Sequence, residues 1–593
     1  MQIIVHKNKT LTFCQRFFIE KSLELLHIGS IDTYRVGLNN PRSILEELKY
    51  CLEQFQKGRI KHFHTIKGKE KQKAIVDEAI LMAESCPNYL TFHSISPIYL
   101  IQLLKKADEH NYKKIISCID ILLKENKSYL KTVTEGLESL ISKNTQELCS
   151  LEEIDNSINI LLSELITTGF DKGFLYRLTH GIFVKSLTQD KIFTEHFNNF
   201  KKRILEIESE YMVIFRVDTT RKVIEAITDP PRSPFFLTKD IDDVQVSQDY
   251  LNEFSAFNSP VENRIFIRCK DKATDHMAAL KKGRNQLSEY LDVINLGLSG
   301  EFLQIHPRVL VNNIRSRSSG GFQINTNFMD GKYTVEKEHY QKFANRLPLI
   351  LNSPEIEQET KEKIKSAIRY LRLGNQSTEV EHKFINYWIG LEYLFSNYES
   401  QSTISRIKEH FINAHSLAYV KRNLHRFQKS FTQLSPPDKT VIPSRLREKY
   451  LETETFYLEI SQQLLQKFPL LAYRAMKLQK WFFRPNRSAD TSEYLKSHRN
   501  NLEIHLTRIY RLRNEIIHDA ATNMNNEQIA SNLRYYLTFI LNELIDFFYQ
   551  SEQQANSIEQ YFILNEIKIG NIEQNGFLLR DLLAVECSLD FIS

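Results

Sequence analysis

Apolar residues recur at helical spacing through most of the chain, and strand-like runs are confined to one central stretch. The clearest stripe is Leu502, Leu506, Ile509, Leu512 and Ile516, at steps of 4, 3, 3 and 4, inside a helix predicted over Ser492–Thr522. A second stripe, Phe384, Trp388, Leu391 and Phe395, predicts a helix over Glu381–Asn397. Nearer the N-terminus, Ser96–Ala107, Tyr112–Lys124 and Ile154–Thr168 have the same spacing. Ser96 before Pro97 is a helix start, a cap with proline in the first turn, and Asp155 and Ser157 are candidate caps of the third helix. No repeat period is present.

The pattern changes near Glu210. Tyr211–Val217 and Arg264–Cys269 are β-rich runs, Asp271–Asn295 reads as a helix, and Phe302–Val311 and Phe322–Asn325 read as strands. This predicts a small α/β unit. Pro348 and Pro354 mark a boundary, beyond which helices resume. Glu355–Leu373 ends at Gly374, a residue suited to terminating a helix. Ser402–His415, Leu417–Phe431, Ser444–Gln466 and Glu527–Gln550 follow, with Trp481–Pro485 as an aromatic knot. The tail reads as a strand at Phe562–Ile569 and a short helix at Leu578–Val585. The expected fold is mainly α: an N-terminal helical region over 1–205, a small central α/β unit over 206–345, and a C-terminal helical bundle with a tail over 355–593.

Composition agrees. The 593 residues include 18 Gly and 15 Pro, few for that length, which favours long helices. A net charge of +5, on 78 basic and 73 acidic residues, permits nucleic-acid binding without demanding it. The seven cysteines are scattered, with no Cys-x-x-Cys pair, which argues against a disulfide framework and a zinc ribbon. No metal-ligand spacing and no cofactor motif stands out. The chain has no signal-peptide pattern at its start and no apolar run of membrane-spanning length, so a cytoplasmic protein is expected.

The chemistry concentrates in Arg508-Ile-Tyr-Arg511-Leu-Arg513-Asn514-Glu515-Ile-Ile-His518. At about 100° per residue, Arg511, Asn514 and His518 share a face opposite the apolar stripe. Arg513 lies about 140° from His518. Its side chain must therefore reach round, or a partner chain completes the site. Arginine offers a permanent charge and a fork of donors matched to phosphate, and histidine moves protons near neutral pH. Together they suit RNA cleavage without a metal, in which a base activates the 2′-hydroxyl, an acid protonates the leaving oxygen and a cation holds the phosphate. The plain alternative is a polar outer helix face. Arg508, Arg499 and His505, in the same basic stretch, are candidate RNA contacts. Glu392, at the edge of the Trp388 stripe, needs a partner if buried, and Arg513 or Arg511 would serve. Two other features are weaker. Lys57–Lys73, with seven Lys or Arg, is a solvated face or an RNA contact. Arg315–Gly321 is a surface loop or a phosphate cradle, without the spacing of a known nucleotide loop.

Tyr387-Trp-Ile-Gly-Leu-Glu-Tyr-Leu-Phe395, followed after more than a hundred residues by Arg511-Leu-Arg-Asn-Glu-Ile-Ile-His518, resembles the Apea-like branch of the HEPN superfamily over about 355–550. The resemblance implies a helical bundle that pairs with a second HEPN module as a homodimer. It implies metal-independent endoribonuclease activity leaving a 2′,3′-cyclic phosphate and a 5′-hydroxyl, with RNA, tRNA included, as substrate. It also implies a role in anti-phage defence and growth arrest after a phage or host trigger. By position, Arg513 and His518 correspond to the catalytic pair, Asn514 to the polar residue after the arginine, and Glu392 to the acid on the early helix. Arg511 stands in a similar relation to His518, which leaves the catalytic arginine open between Arg511 and Arg513. The alternatives are a non-catalytic HEPN scaffold that binds RNA or a partner protein, and the toxin of a toxin–antitoxin pair.

Overall fold

The computed structural model describes residues 10–29, 40–58, 73–85, 94–107, 111–125, 129–143, 148–188, 191–206, 208–226, 235–246, 248–261, 263–297, 300, 303–326, 328–329, 337–397, 402–432, 454–464, 467–483, 488–519, 526–550 and 555–587. The fold is mainly helical with one five-stranded sheet. It divides into two compact units, residues 164–328 and the combination of 1–163 with 329–593. Within the second of these units the helix Phe13–Leu26 packs on Pro469–Phe482, with Phe17 against Tyr473. Among the described residues no helix is long and apolar enough to cross a membrane.

The 164–328 unit holds the strands β1 Ser209–Thr219, β2 Phe235–Thr238, β3 Arg264–Ala273, β4 Leu303–Asn313 and β5 Ser319–Gln323 in the order β2-β3-β1-β4-β5, every pair antiparallel. Period-two alternation sorts their side chains. Tyr211, Val213, Phe215 and Val217 share one core with Leu280 and Leu287 of the helix His276–Gly297, while Ile214 packs on the other side with Phe266, Leu310, Ile241 and Phe257. The unit also takes in the helices Lys172–His180 and Phe193–Ile204. Arg315–Gly321 lies at the surface, as expected of a loop, with Arg315, Ser316 and Arg317 exposed. It turns β4 into β5, with Asn313 Oδ1 accepting from the amides of Arg315 and Ser316 and its carbonyl from that of Arg317, so those donors are used internally.

In the other unit the stripes behave as expected. Leu502, Leu506, Ile509 and Leu512 of Ser488–Asp519 share a core with Trp388, Leu391 and Phe395 of Val380–Phe395 and with the helix Asn526–Gln550. Ser96 caps Pro97–Lys105 by accepting from the Tyr99 amide. Several expectations fail for packing reasons. Asp155 is no cap but lies inside Leu148–Thr167, buried against Lys21, Lys477 and the Tyr473 hydroxyl. Pro348 lies within Lys337–Asn352. The two helices expected over 402–431 run on as Thr403–Arg406, a π turn Ile407–Phe411 and Ile412–Thr432. Phe562–Ile569 belongs to the helix Ile558–Gln574, because Ile558, Tyr561, Phe562, Asn565, Ile569 and Ile572 are buried at helical spacing. The expectations at residues 59–72 of the basic stretch and 444–453 fall outside the described residues.

Candidate functional site

The helix Ser488–Asp519 presents the Arg-Asn-x-x-x-His stretch in its last turns, fixed by the apolar stripe on its inner side. Trp388, on the helix that carries Glu392, packs against Tyr510 with ring centroids 5.9 Å apart. The two segments that motivated the resemblance therefore meet in one core.

Arg508 and Arg511 do not face solvent. Pro41–Gln56 and Lys73–Ser85 bring Glu47 and Glu78 onto them. Arg508 Nε lies 2.9 Å from both oxygens of Glu47, and Arg508 Nη2 lies 2.7 Å from Glu47 Oε2 and 2.5 Å from Glu78 Oε2. Arg511 Nη2 donates to the same Glu47, and its Nε lies 3.6 Å from Glu515, one helical turn on. One carboxylate thus bridges two guanidinium groups. Burial pushes the Glu47 carboxyl up, but the charges and hydrogen bonds of Arg508 and Arg511 outweigh this and hold it at about 2. Burial alone would lower both arginines; Glu47 and Glu78 reverse that for Arg508, and Cys51, Glu47 and Glu515 for Arg511.

Arg513 is placed differently. Its Nη1 donates to the side chain of Asn514 at 3.1 Å, and its buried Nε has no hydrogen-bond partner. Glu392 accepts from the Trp388 indole at 2.9 Å. Its partner is therefore the indole one turn back, not Arg511 or Arg513. His518 lies in the last turn of the helix, but its side chain falls outside the described residues.

Three expected RNA contacts turn inward. His505 is buried, with Tyr536 Oη 2.9 Å from Nδ1 and Asn532 Nδ2 3.4 Å from Nε2. Burial, aided by the Arg508 charge, pushes it down to about 3, so it is a neutral core imidazole. Arg499 reaches across to Asn413 at 3.0 Å, and burial lowers it. Arg508 is held by Glu47 and Glu78, as above. Each of the three thus turns toward partners inside the protein, although Arg499 Nη1 is buried without a hydrogen-bond partner.

The residues that sequence reasoning missed are Glu47 and Glu78. No spacing near the motif announces them, because they lie 461 and 430 positions from Arg508. The only local signal is that each sits on an amphipathic helix whose apolar face, Ile44, Leu45, Leu48, Cys51 and Leu52 with Ile75, Val76 and Ala79, is packed in the N-terminal core.

Chemically, the arrangement offers one arginine held by an asparagine, two more arginines neutralised by carboxylates, and a histidine further along the same helix. Comparisons with protein families, with curated proteins and with solved structures found no match to this chain.

Proposed function

We propose that this chain is a metal-independent endoribonuclease of the HEPN type, acting in the cytoplasm against phage by cutting RNA, tRNA among its substrates, as a homodimer through the C-terminal bundle. The observation that carries the reading is Arg513. Among the described residues it is the one arginine of the three in the motif that has no carboxylate partner; it is steadied by Asn514 and, like Arg511 at Nη1, keeps one unpartnered donor, its Nε–H. A guanidinium so placed can clamp a phosphate as charge builds, while His518 moves the proton. Glu392 acts through Trp388, orienting the indole between the two helices, and Arg511 holds the motif helix to its carboxylate partner.

A second reading, a non-catalytic HEPN scaffold, is favoured by the inward turn of Arg508, Arg499 and His505. One experiment separates the two. Purified protein is incubated with tRNA, with and without EDTA. The nuclease reading expects fragments ending in a 2′,3′-cyclic phosphate and a 5′-hydroxyl in both conditions. Intact tRNA, cleavage that requires added magnesium, or 5′-phosphate ends would refute it.

A further inference from the structure

We propose that Glu47 and Glu78 are an internal stand-in for RNA phosphate, masking an anion site at Arg508 and Arg511 that an RNA backbone occupies once the two carboxylates withdraw. The inference rests on RNA being the ligand of the motif helix.

Three observations carry it. First, the geometry is that of phosphate recognition. Both oxygens of Glu47 meet the Arg508 fork at 2.7–2.9 Å, and Arg511 closes on the same carboxylate. A phosphodiester presents paired oxygens to the same fork. Second, the mask covers the motif's own face. Arg511, Asn514 and His518 lie within one narrow sector of the helix, at about 100° per residue, so the group that Arg511 holds stands on the sector of the helix that carries His518. Third, ionic contact is an expensive way to dock two helices. Two guanidinium groups and two carboxylates must give up their hydration, and apolar residues of similar volume dock as well or better. What an ion pair adds is exchangeability, since an anion of matching shape can take the place of the carboxylates without leaving the arginines bare.

The test uses the full chain with His518→Ala to prevent cleavage, and a short fluorescein-labelled single-stranded RNA followed by anisotropy over a series of salt concentrations. Adding Glu47→Gln and Glu78→Gln keeps the side-chain shape and removes the competing charge. Affinity is expected to rise about tenfold or more. The salt dependence should steepen by about 0.7 for each further phosphate that the arginines neutralise. Unchanged affinity and slope overturn the proposal, as does an absence of RNA binding by every version. Because the double change could loosen the fold, hydrogen exchange is followed in the His518→Ala protein with both carboxylates intact. Amides of Pro41–Gln56 and Lys73–Ser85 should exchange faster when RNA is added, and unchanged or slower exchange overturns the proposal. With His518 restored, a Glu47→Gln/Glu78→Gln chain that binds RNA tightly but leaves it whole upholds the mask and sinks the nuclease reading. A parental chain that cuts RNA, with no rise in affinity from the two substitutions, does the reverse.

Discussion

The indole N–H of Trp388 donates to Glu392, one turn further along the same helix, at 2.9 Å. Trp388 is 1% exposed, so this carboxylate supplies the partner that the buried donor needs. Glu392→Ala leaves the indole unsatisfied and should cost about 1–3 kcal/mol in chemical denaturation. Glu392→Gln keeps an acceptor at the same reach and should stay near parental stability. If Glu392 acts by orienting Trp388, the Gln variant also keeps RNA cleavage. A stable but inactive Gln variant would show instead that the charge itself takes part.

Acid should unfold the protein in two stages. His505 is held at about 3 by burial, with the Arg508 charge acting the same way, whereas an unfolded chain protonates near its ordinary 6.5. Between those values the unfolded state binds more protons, so stability falls as pH drops from about 6.5 towards 3. Glu47 acts lower down. Burial raises its carboxyl, Arg508 and Arg511 more than offset that, and its folded value is about 2 against an ordinary 4.5. Its contribution is complete above 4.5 and lost as pH falls from there towards 2. Thermal melts across this range should show both stages. His505→Gln should flatten the first, by a few kcal/mol of order, and Glu47→Gln should flatten the second. An unchanged melting profile in either variant contradicts the corresponding assignment.

Glycines at two close approaches should resist substitution. A Cβ on Gly374 would stand 2.3 Å from the Tyr387 ring, and one on Gly390 would stand 2.9 Å from Leu537 and 3.3 Å from the Ala367 carbonyl. Overpacking of this kind typically costs about 1–3 kcal/mol. Gly374→Ala must also displace Tyr387 from its hydrogen bond to Asn375. Each variant is expected to melt earlier than the parent, and a parental melting temperature in both would contradict the packing described.

Gly374 also shows where sequence reasoning stops. Glycine after an apolar stripe reads as a helix end, yet the helix continues to Gln376 and the glycine serves the neighbouring Tyr387. The stripe of Leu502, Leu506, Ile509 and Leu512 was legible because burial of a helix face leaves a period in the sequence. The Ser96 cap was legible because it acts three residues away. Asp155 read as a cap for the same local reason, but its partners Tyr473 and Lys477 lie 318 and 322 positions away. The Glu47 pairings are longer still, and a pairing across such a distance has no periodicity to betray it. In the tail, Ile567 and Ile569 alternate like a strand, while the burial of Ile558, Phe562, Asn565, Ile569 and Ile572 follows a helix. Within the motif, sequence identified which residue types gather on the helix. It could not tell that Arg508 and Arg511 are taken by carboxylates and that Arg513, among the described residues, is not.

That difference separates the arginines by experiment. Arg511→Ala removes a buried partner of Glu47 and should cost up to about 3–5 kcal/mol, less if Arg508 alone keeps that carboxylate neutralised. Arg513→Ala removes a side chain whose contact is Asn514, and should shift stability by less than about 1 kcal/mol. If Arg513 clamps the phosphate, its loss should slow RNA cleavage by about 10²–10³-fold. His518→Ala should slow it by about 10²–10⁴-fold. Arg511→Ala should act chiefly through stability, so its rate recovers when the assay is run well below its melting temperature. An inactive but fully folded Arg511→Ala, beside an active Arg513→Ala, would transfer the catalytic role to Arg511 and leave the nuclease reading standing. The two single variants also test the dimer. Because Arg513 and His518 lie about 140° apart on the helix, two copies can complete one another's site. Mixing inactive Arg513→Ala and His518→Ala chains should then restore part of the cleavage. No recovery, in a mixture shown by light scattering to contain mixed dimers, would place both residues of each site on one chain.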